Sequence, residues 1–155
     1  MQGKGQRSQR RKAGKPAAAK KRARRPVSKF SIVRARAKDF KGEGLRPFFV
    51  YRDLGVRAAT GGRFGAHVVK AARRSTRGTG RHYHVADFHL VYVLKGWCKF
   101  WYNGVGKVKV SEGDCIYQRP GIRHELYAWS DDMEFMEVLM PANYGTVPPE
   151  SPMDA

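Results

Sequence analysis

Four of the five histidines in this 155-residue chain fall in two stretches: His82-Tyr83-His84 with His89 soon after, and His124 much further along. Each stretch reads as the entrance to a β-strand. Side chains two apart on an extended strand share a face, so His82 and His84 reach one point together. Imidazole is the commonest protein ligand for transition metals, with its nitrogen about 2.0–2.1 Å from the ion. A lone histidine reads as an ordinary core or surface residue. An H-x-H pair with two further histidines in neighbouring strands reads as a ligand set, and it constrains the chain to a metal-binding β-barrel.

The surrounding pattern agrees with an all-β fold. HLVYVL and WCKFWY are β-branched and aromatic runs joined by Lys95-Gly96, which makes a hairpin. Asn103-Gly104-Val105-Gly106 turns the chain into the alternating Lys107–Val110 segment, and Gly113-Asp114 opens another strand. Pro120-Gly121 supplies the sharp turn that returns His124 towards the first histidines. Further strands are expected at Phe48–Tyr51 and Gly65–Ala71, with a loop from Arg57 to Gly62 and a basic loop from Arg73 to Arg81. The last two strands, Arg123–Trp129 and Met133–Met140, are joined by the turn Ser130-Asp131-Asp132. Phe30, Ile32 and Val33 are candidates for an arm strand on the barrel or on a partner subunit. His67, with no motif around it, reads as a barrel or surface residue.

The segment HYHVADFHLVYVLKG, His82 to Gly96, resembles the first motif of the cupin superfamily, H-x-H-x(3,4)-E-x(6)-G. GDCIYQRPGIRH, Gly113 to His124, resembles the second, G-x(5)-P-x-G-x(2)-H. The resemblance covers about Phe48 to Pro141. It implies a double-stranded β-helix or jelly-roll barrel, a divalent iron, manganese, nickel, copper or zinc ion as cofactor, and commonly a homodimer. It is specific for fold and says little about reaction.

Two departures stand out. His89 occupies the place of the family's glutamate, and Arg119 replaces the second motif's first proline, where it reads as a solvated strand-end cation. Five residues separate His84 from His89, so strict alternation would put them on opposite faces. A break at Val85-Ala86-Asp87 must reset the phase if His89 is to point inward. The resemblance implies that reset, and with it a metal set of His82, His84, His89 and His124. Without it, three histidines ligate and His89 stands behind them. In either case the missing carboxylate leaves the ion's charge less neutralised and favours an anionic or chelating ligand.

Charge divides the chain. Residues 1–38 hold fifteen of the thirty-one lysines and arginines and no acid, so most of the formal +18 is a tail. Residues 1–29 contain almost no large apolar side chain and are expected to be disordered alone, followed by an arm or linker at 30–47, the barrel at 48–141 and a Pro-rich extension at 142–155. Such a tail binds polyanions, including nucleic acid, without sequence preference. Initiation downstream, at the codon of Val27 or Val33, is the competing account of it. No apolar stretch is long enough for a membrane span or a secretory signal, so the expected location is cytoplasmic. Cys98 and Cys115, in different strands, read as buried thiols rather than a disulfide or zinc ribbon. No nucleophile elbow or phosphate-cradling glycine loop is found.

The functional reading is a metal-binding protein acting on a small molecule, with metal-dependent oxygenation of a chelating substrate as the chemistry that fits best. The alternatives are a non-catalytic small-ligand sensor and a nucleic-acid-associated protein that uses residues 1–29. Glu137, on the last strand, is a carboxylate available as base or supporting group, although a charged residue there is expected to face outward. Tyr92, Tyr117 and Trp101 are candidates for pocket lining or ordinary core, and alternation sets Glu125 opposite to His124.

Overall fold

The computed structural model describes residues 28–42, 44, 46–73, 75 and 77–148. The expected disorder of the basic tail concerns residues that lie, but for Ser28 and Lys29, outside that range. Among these described residues ten strands run in chain order: β1 Phe49–Asp53, β2 Gly65–Ala71, β3 Tyr83–Val85, β4 Phe88–Lys95, β5 Trp97–Tyr102, β6 Gly106–Ser111, β7 Cys115–Gln118, β8 His124–Trp129, β9 Glu134–Met140 and β10 Gly145–Val147. They form an antiparallel five-stranded sheet, β1-β2-β9-β4-β7, a three-stranded sheet, β6-β5-β8, and the pair β10-β3. The fold is a jelly-roll barrel with both larger sheets turned inward.

Alternation explains why these segments are strands. In β5, Cys98, Phe100 and Tyr102 are buried while Trp97, Lys99 and Trp101 face the other way. In β4, His89, Val91 and Val93 point to the core. The inner residues meet in one cluster that includes Val69, Val91, Val93, Cys98, Phe100, Leu126, Met133 and Phe135. At about 25 cal/mol per Å² of apolar surface removed from water, this cluster is the main source of stability. Gly96 has φ 70°, a left-handed conformation that the β4–β5 hairpin requires, and a Cβ there would run into Ser130 Oγ.

Several expectations are corrected. The loop expected from Arg57 to Gly62 begins as a single helical turn, Val56–Ala59, because Gly55 at φ 71° turns the chain and Thr60 Oγ1 donates back to Val56 O. Phe30, Ile32 and Val33 form no strand: Phe30 is 90% exposed, and the arm touches the barrel through Lys29 N–H to Ala59 O and a bridge between Lys41 and Tyr51. Cys115 is exposed rather than buried. Tyr92 and Tyr117 are exposed, on outward positions of β4 and β7, and so belong neither to the core nor to the cavity beside the histidines. The chain also continues past the expected last strand into β10, which pairs with β3 so that Thr146 lies opposite His84. Among the described residues, no helix is long and apolar enough to cross a membrane.

Candidate metal centre

Three local devices bring the histidines together. The loop before β3 is tied to β8: Thr79 N–H donates to Leu126 O and Leu126 N–H to Thr79 Oγ1. Gly78 lies so close to β8 that a Cβ would stand 2.8 Å from Leu126 O, so only glycine fits there. His82 and His124 then exchange backbone hydrogen bonds of 3.0 and 2.8 Å across an antiparallel bridge. His84 follows on the same face two residues later. The outcome is a group in which one nitrogen from each of His82, His84 and His124 lies within 4.8 Å of the others.

The rings are also aimed. His82 Nδ1 donates to Gly80 O at 2.7 Å and His124 Nδ1 to Ile122 O at 3.0 Å. A carbonyl only accepts, so both rings carry their proton on Nδ1, leaving the Nε2 lone pair for an ion. His84 Nδ1 is held 3.0 Å from Thr146 Oγ1, a contact supplied by β10 that nothing in the Pro-rich C-terminal sequence signals. Burial pushes the His84 imidazole down to about 3 and that of His124 to about 4, and it lowers His82 as well. Three neutral imidazoles facing one point are the form that binds a metal.

His89 turns inward and is 4% exposed. The required break in phase is present: β3 ends at Val85, Ala86 and Asp87 leave the strand, and Asp87 N–H donates to Met140 O before β4 begins. Its ring centre lies 5.1 Å from that of His84 and 6.1 Å from that of His124. His89 nevertheless stands outside the three-histidine group, and its Nε2 is 3.1 Å from Glu137 Oε1.

Glu137 faces inward, against the expectation for a charged residue on this strand, because two imidazoles receive it. Its Oε2 is 2.9 Å from His67 Nε2 on β2, directly opposite in the ladder. Burial alone would raise the Glu137 carboxyl, but the hydrogen bonds and charges of His67 and His89 outweigh it and hold the group well below the usual carboxylate range. His67 is raised in turn: burial lowers it, and Glu137 more than reverses that. His67 is thus a paired barrel residue.

A pH prediction follows from this pair. The carboxylate's contribution to stability is complete above the ordinary carboxyl value and is lost as pH falls through the depressed one. The imidazole's contribution is complete below its ordinary ~6.5 and is lost as pH rises through its raised value. The pair is therefore worth most in weakly acid solution. His67→Asn is expected to cost about 1–3 kcal/mol there and progressively less towards alkaline pH, as measured by urea unfolding across that range. A pH-independent difference would show that the pair is not ionic.

A small cavity of about 80 Å³ adjoins the cluster, lined among others by Arg46, Tyr51, His82, His84, His124, Glu137 and Tyr144. Two buried polar atoms near it, Tyr102 Oη and Gln118 Oε1, have no hydrogen-bond partner among the described residues. Buried polar groups are rarely left so; Gln118 lines the cavity, and the Tyr102 ring centre lies 5.8 Å from that of His124. Three convergent imidazole nitrogens, two of them on rings of fixed tautomer, and orphaned polar neighbours together fit a divalent transition ion. Neither cysteine takes part; burial pushes the Cys98 thiol up to about 12. Glu125 lies outside the site, opposite Trp101 on the outer face, as alternation required.

Residues 74–139, which contain all four of these histidines, match the family described as "Cupin domain". The chain thus carries a cupin domain over this stretch. None of the curated proteins matches this sequence. Among solved structures it is similar to the polyketide cyclase RemF from Streptomyces resistomycificus, at 19% identity and TM-score 0.61 over 80% of this chain and 92% of that one. It is also similar to Pac13, a nucleoside dehydratase from Streptomyces, at 17% identity and TM-score 0.53, covering 79% and 99% of the two chains. A sugar phosphate isomerase of the cupin superfamily from Silicibacter pomeroyi aligns at 20% identity and TM-score 0.53 over 67% of each chain. At these identities the likeness is one of fold.

Proposed function

We propose that this cupin-domain protein is a divalent-metal enzyme that acts on a small chelating anion at His82, His84 and His124. The observation that carries the reading is the set of three neutral imidazoles, two with their Nδ1 protons committed to backbone carbonyls, converging at the edge of a cavity. A bound ion there supplies Lewis-acid polarisation and leaves coordination positions open for a substrate. His89 is committed to Glu137, so in this reading it tunes the site from behind while retaining the ring position of a fourth ligand.

The protein's own groups narrow the substrate. The cavity of about 80 Å³ is far below the roughly 300–1,000 Å³ of sites that enclose a drug-sized ligand, so only a small head group enters. Arg46 lines it and offers a guanidinium to a carboxylate or similar anion. Glu137 lines the same cavity with His67 and His89 on its two oxygens, so the carboxylate together with its imidazole partners is placed to take up a proton from a hydroxyl or an activated carbon of the bound molecule. Glu137 also restores, from a different strand, the negative charge that the family's glutamate position lacks.

Two reactions use these parts. Oxygenation by dioxygen would rely on an ion held by His82, His84 and His124 to activate the chelated substrate. A redox-neutral proton transfer, as in dehydration or isomerisation, uses Glu137; the dehydratase and isomerase activities named for Pac13 and the Silicibacter protein are of that kind. Oxygen uptake and solvent-deuterium incorporation, measured on metal-loaded protein with a panel of 2-hydroxy and 2-oxo acids, separate the two. Expected in either case is turnover that a chelator abolishes; for the proton transfer, Glu137→Gln is expected to lower it at least about 100-fold, within the range of general base catalysis. Activity unchanged by chelator would remove the metal from the reaction.

A further inference from the structure

The outer face of the three-stranded sheet carries an arrangement that the metal cluster does not use. Trp97, Lys99 and Trp101 project from β5 and Lys107 and Lys109 from β6, while the alternate residues of both strands go to the core. Strand register sets Lys99 directly opposite Lys109, and Trp101 opposite Lys107. Like charges directly opposite one another destabilise a strand pair. Here the cations lie on aromatic rings: Lys99 Nζ and Lys109 Nζ are each 5.4 Å from the centre of Trp97, and Lys107 Nζ is 5.7 Å from that of Tyr127. The Arg81 guanidinium sits 4.2 Å over Trp101. The carboxylate that register brings to this face is Glu125, and the acidic turn Asp131-Asp132 bounds it at the Trp97 end.

We propose that this face binds single-stranded nucleic acid, with bases stacked on Trp97, Trp101 and Tyr127 and phosphates held by Arg81, Lys99, Lys107 and Lys109. Aromatic rings alternating with cations on an open sheet match the two components of a single strand, and an arginine plane already lying on a tryptophan is itself a stacking surface for a base. A duplex hides its base faces and would gain only the charge. A second copy of this chain paired symmetrically here would set lysines against lysines. A lipid surface needs apolar side chains that reach about 5–10 Å into the headgroup region, whereas these rings are half-buried. The fifteen basic residues of positions 1–38 add sequence-independent attraction for the same polyanion. This inference is independent of the metal reading.

The test uses the full-length protein with a fluorescein-labelled 12-nucleotide oligo(U), a duplex of equal length, and vesicles rich in phosphatidylserine. Trp97→Ala with Trp101→Ala is expected to weaken single-strand binding about tenfold or more while changing duplex binding less than twofold, since stacking on an aromatic ring acts only on free bases. Phe at both positions keeps a stacking ring and is expected to retain most of the affinity. Lys99→Gln with Lys109→Gln relieves the opposed charges, so the fold is kept, and it should lower the slope of log K against log salt by about 1.4, two phosphates at roughly 0.7 each. The proposal is overturned if the Ala pair binds single strand as tightly as the parent, if the Phe pair loses as much as the Ala pair, or if the salt slope is unmoved. Loss of vesicle binding with oligonucleotide binding intact would also overturn it and make this a membrane face.

Discussion

Protein in which His82 and His84 are both replaced by Ala is expected to lose bound metal almost completely while keeping its β-rich fold. Removing even an outer partner of a metal ligand typically costs 10–100-fold in affinity, so deleting two of three converging imidazoles should cost more than about 100-fold. The fold survives because neither residue belongs to the apolar cluster of Val91, Val93, Phe100, Leu126 and Phe135. What is lost structurally includes two side-chain hydrogen bonds, Nδ1 of His82 to Gly80 O and Nδ1 of His84 to Thr146 Oγ1, each worth about 1 kcal/mol. Elemental analysis of protein purified without an affinity tag, with circular dichroism on the same sample, checks both halves. Stoichiometric metal in the double variant would place the ion elsewhere.

That the site was readable at all rests on short-range pattern. His82 and His84 share a face because strands alternate, and β4, β5 and β6 declare themselves by alternating apolar side chains around Gly96 and Gly104. What stayed hidden depends on pairings between distant strands. The inward turn of His89 is enforced by a bond from Asp87 to Met140, more than fifty residues away, and so was visible only through family resemblance. Glu137 looked like an outward charge because a strand pattern penalises a buried carboxylate. It faces inward because the β2–β9 register sets His67 directly across from it, and register is not written in either strand alone. Thr146 escaped notice for a related reason: β10 is three residues long with no apolar alternation, and it exists because β3 offers it an edge.

The same geometry makes position 89 a sharp probe. In His89→Glu the new carboxyl stands beside Glu137, where a buried imidazole 3.1 Å away had held the charge. Without an ion, two neighbouring carboxylates cannot both ionise, so one takes up a proton and its pKa rises. Removing the hydrogen-bond partner of a buried charge, here that of Glu137, costs roughly 3–5 kcal/mol, and a fall of about 10 °C or more in the Tm of metal-free protein is expected at neutral pH. The deficit should shrink as pH falls, because the raised pKa belongs to a group that binds its proton more tightly folded than unfolded. Adding a divalent ion reverses the effect. An ionised oxygen at the ring position of His89, whose centre is 5.1 Å from that of His84, offsets cation charge that a neutral imidazole cannot. The rise in Tm on adding metal should therefore exceed that of the parent protein at the same ion concentration, since a ligand stabilises by RT ln(1 + [L]/Kd) and the metal-free reference has been lowered. Equal metal-induced shifts in parent and variant would mean that position 89 faces away from the ion and that the three histidines act without it.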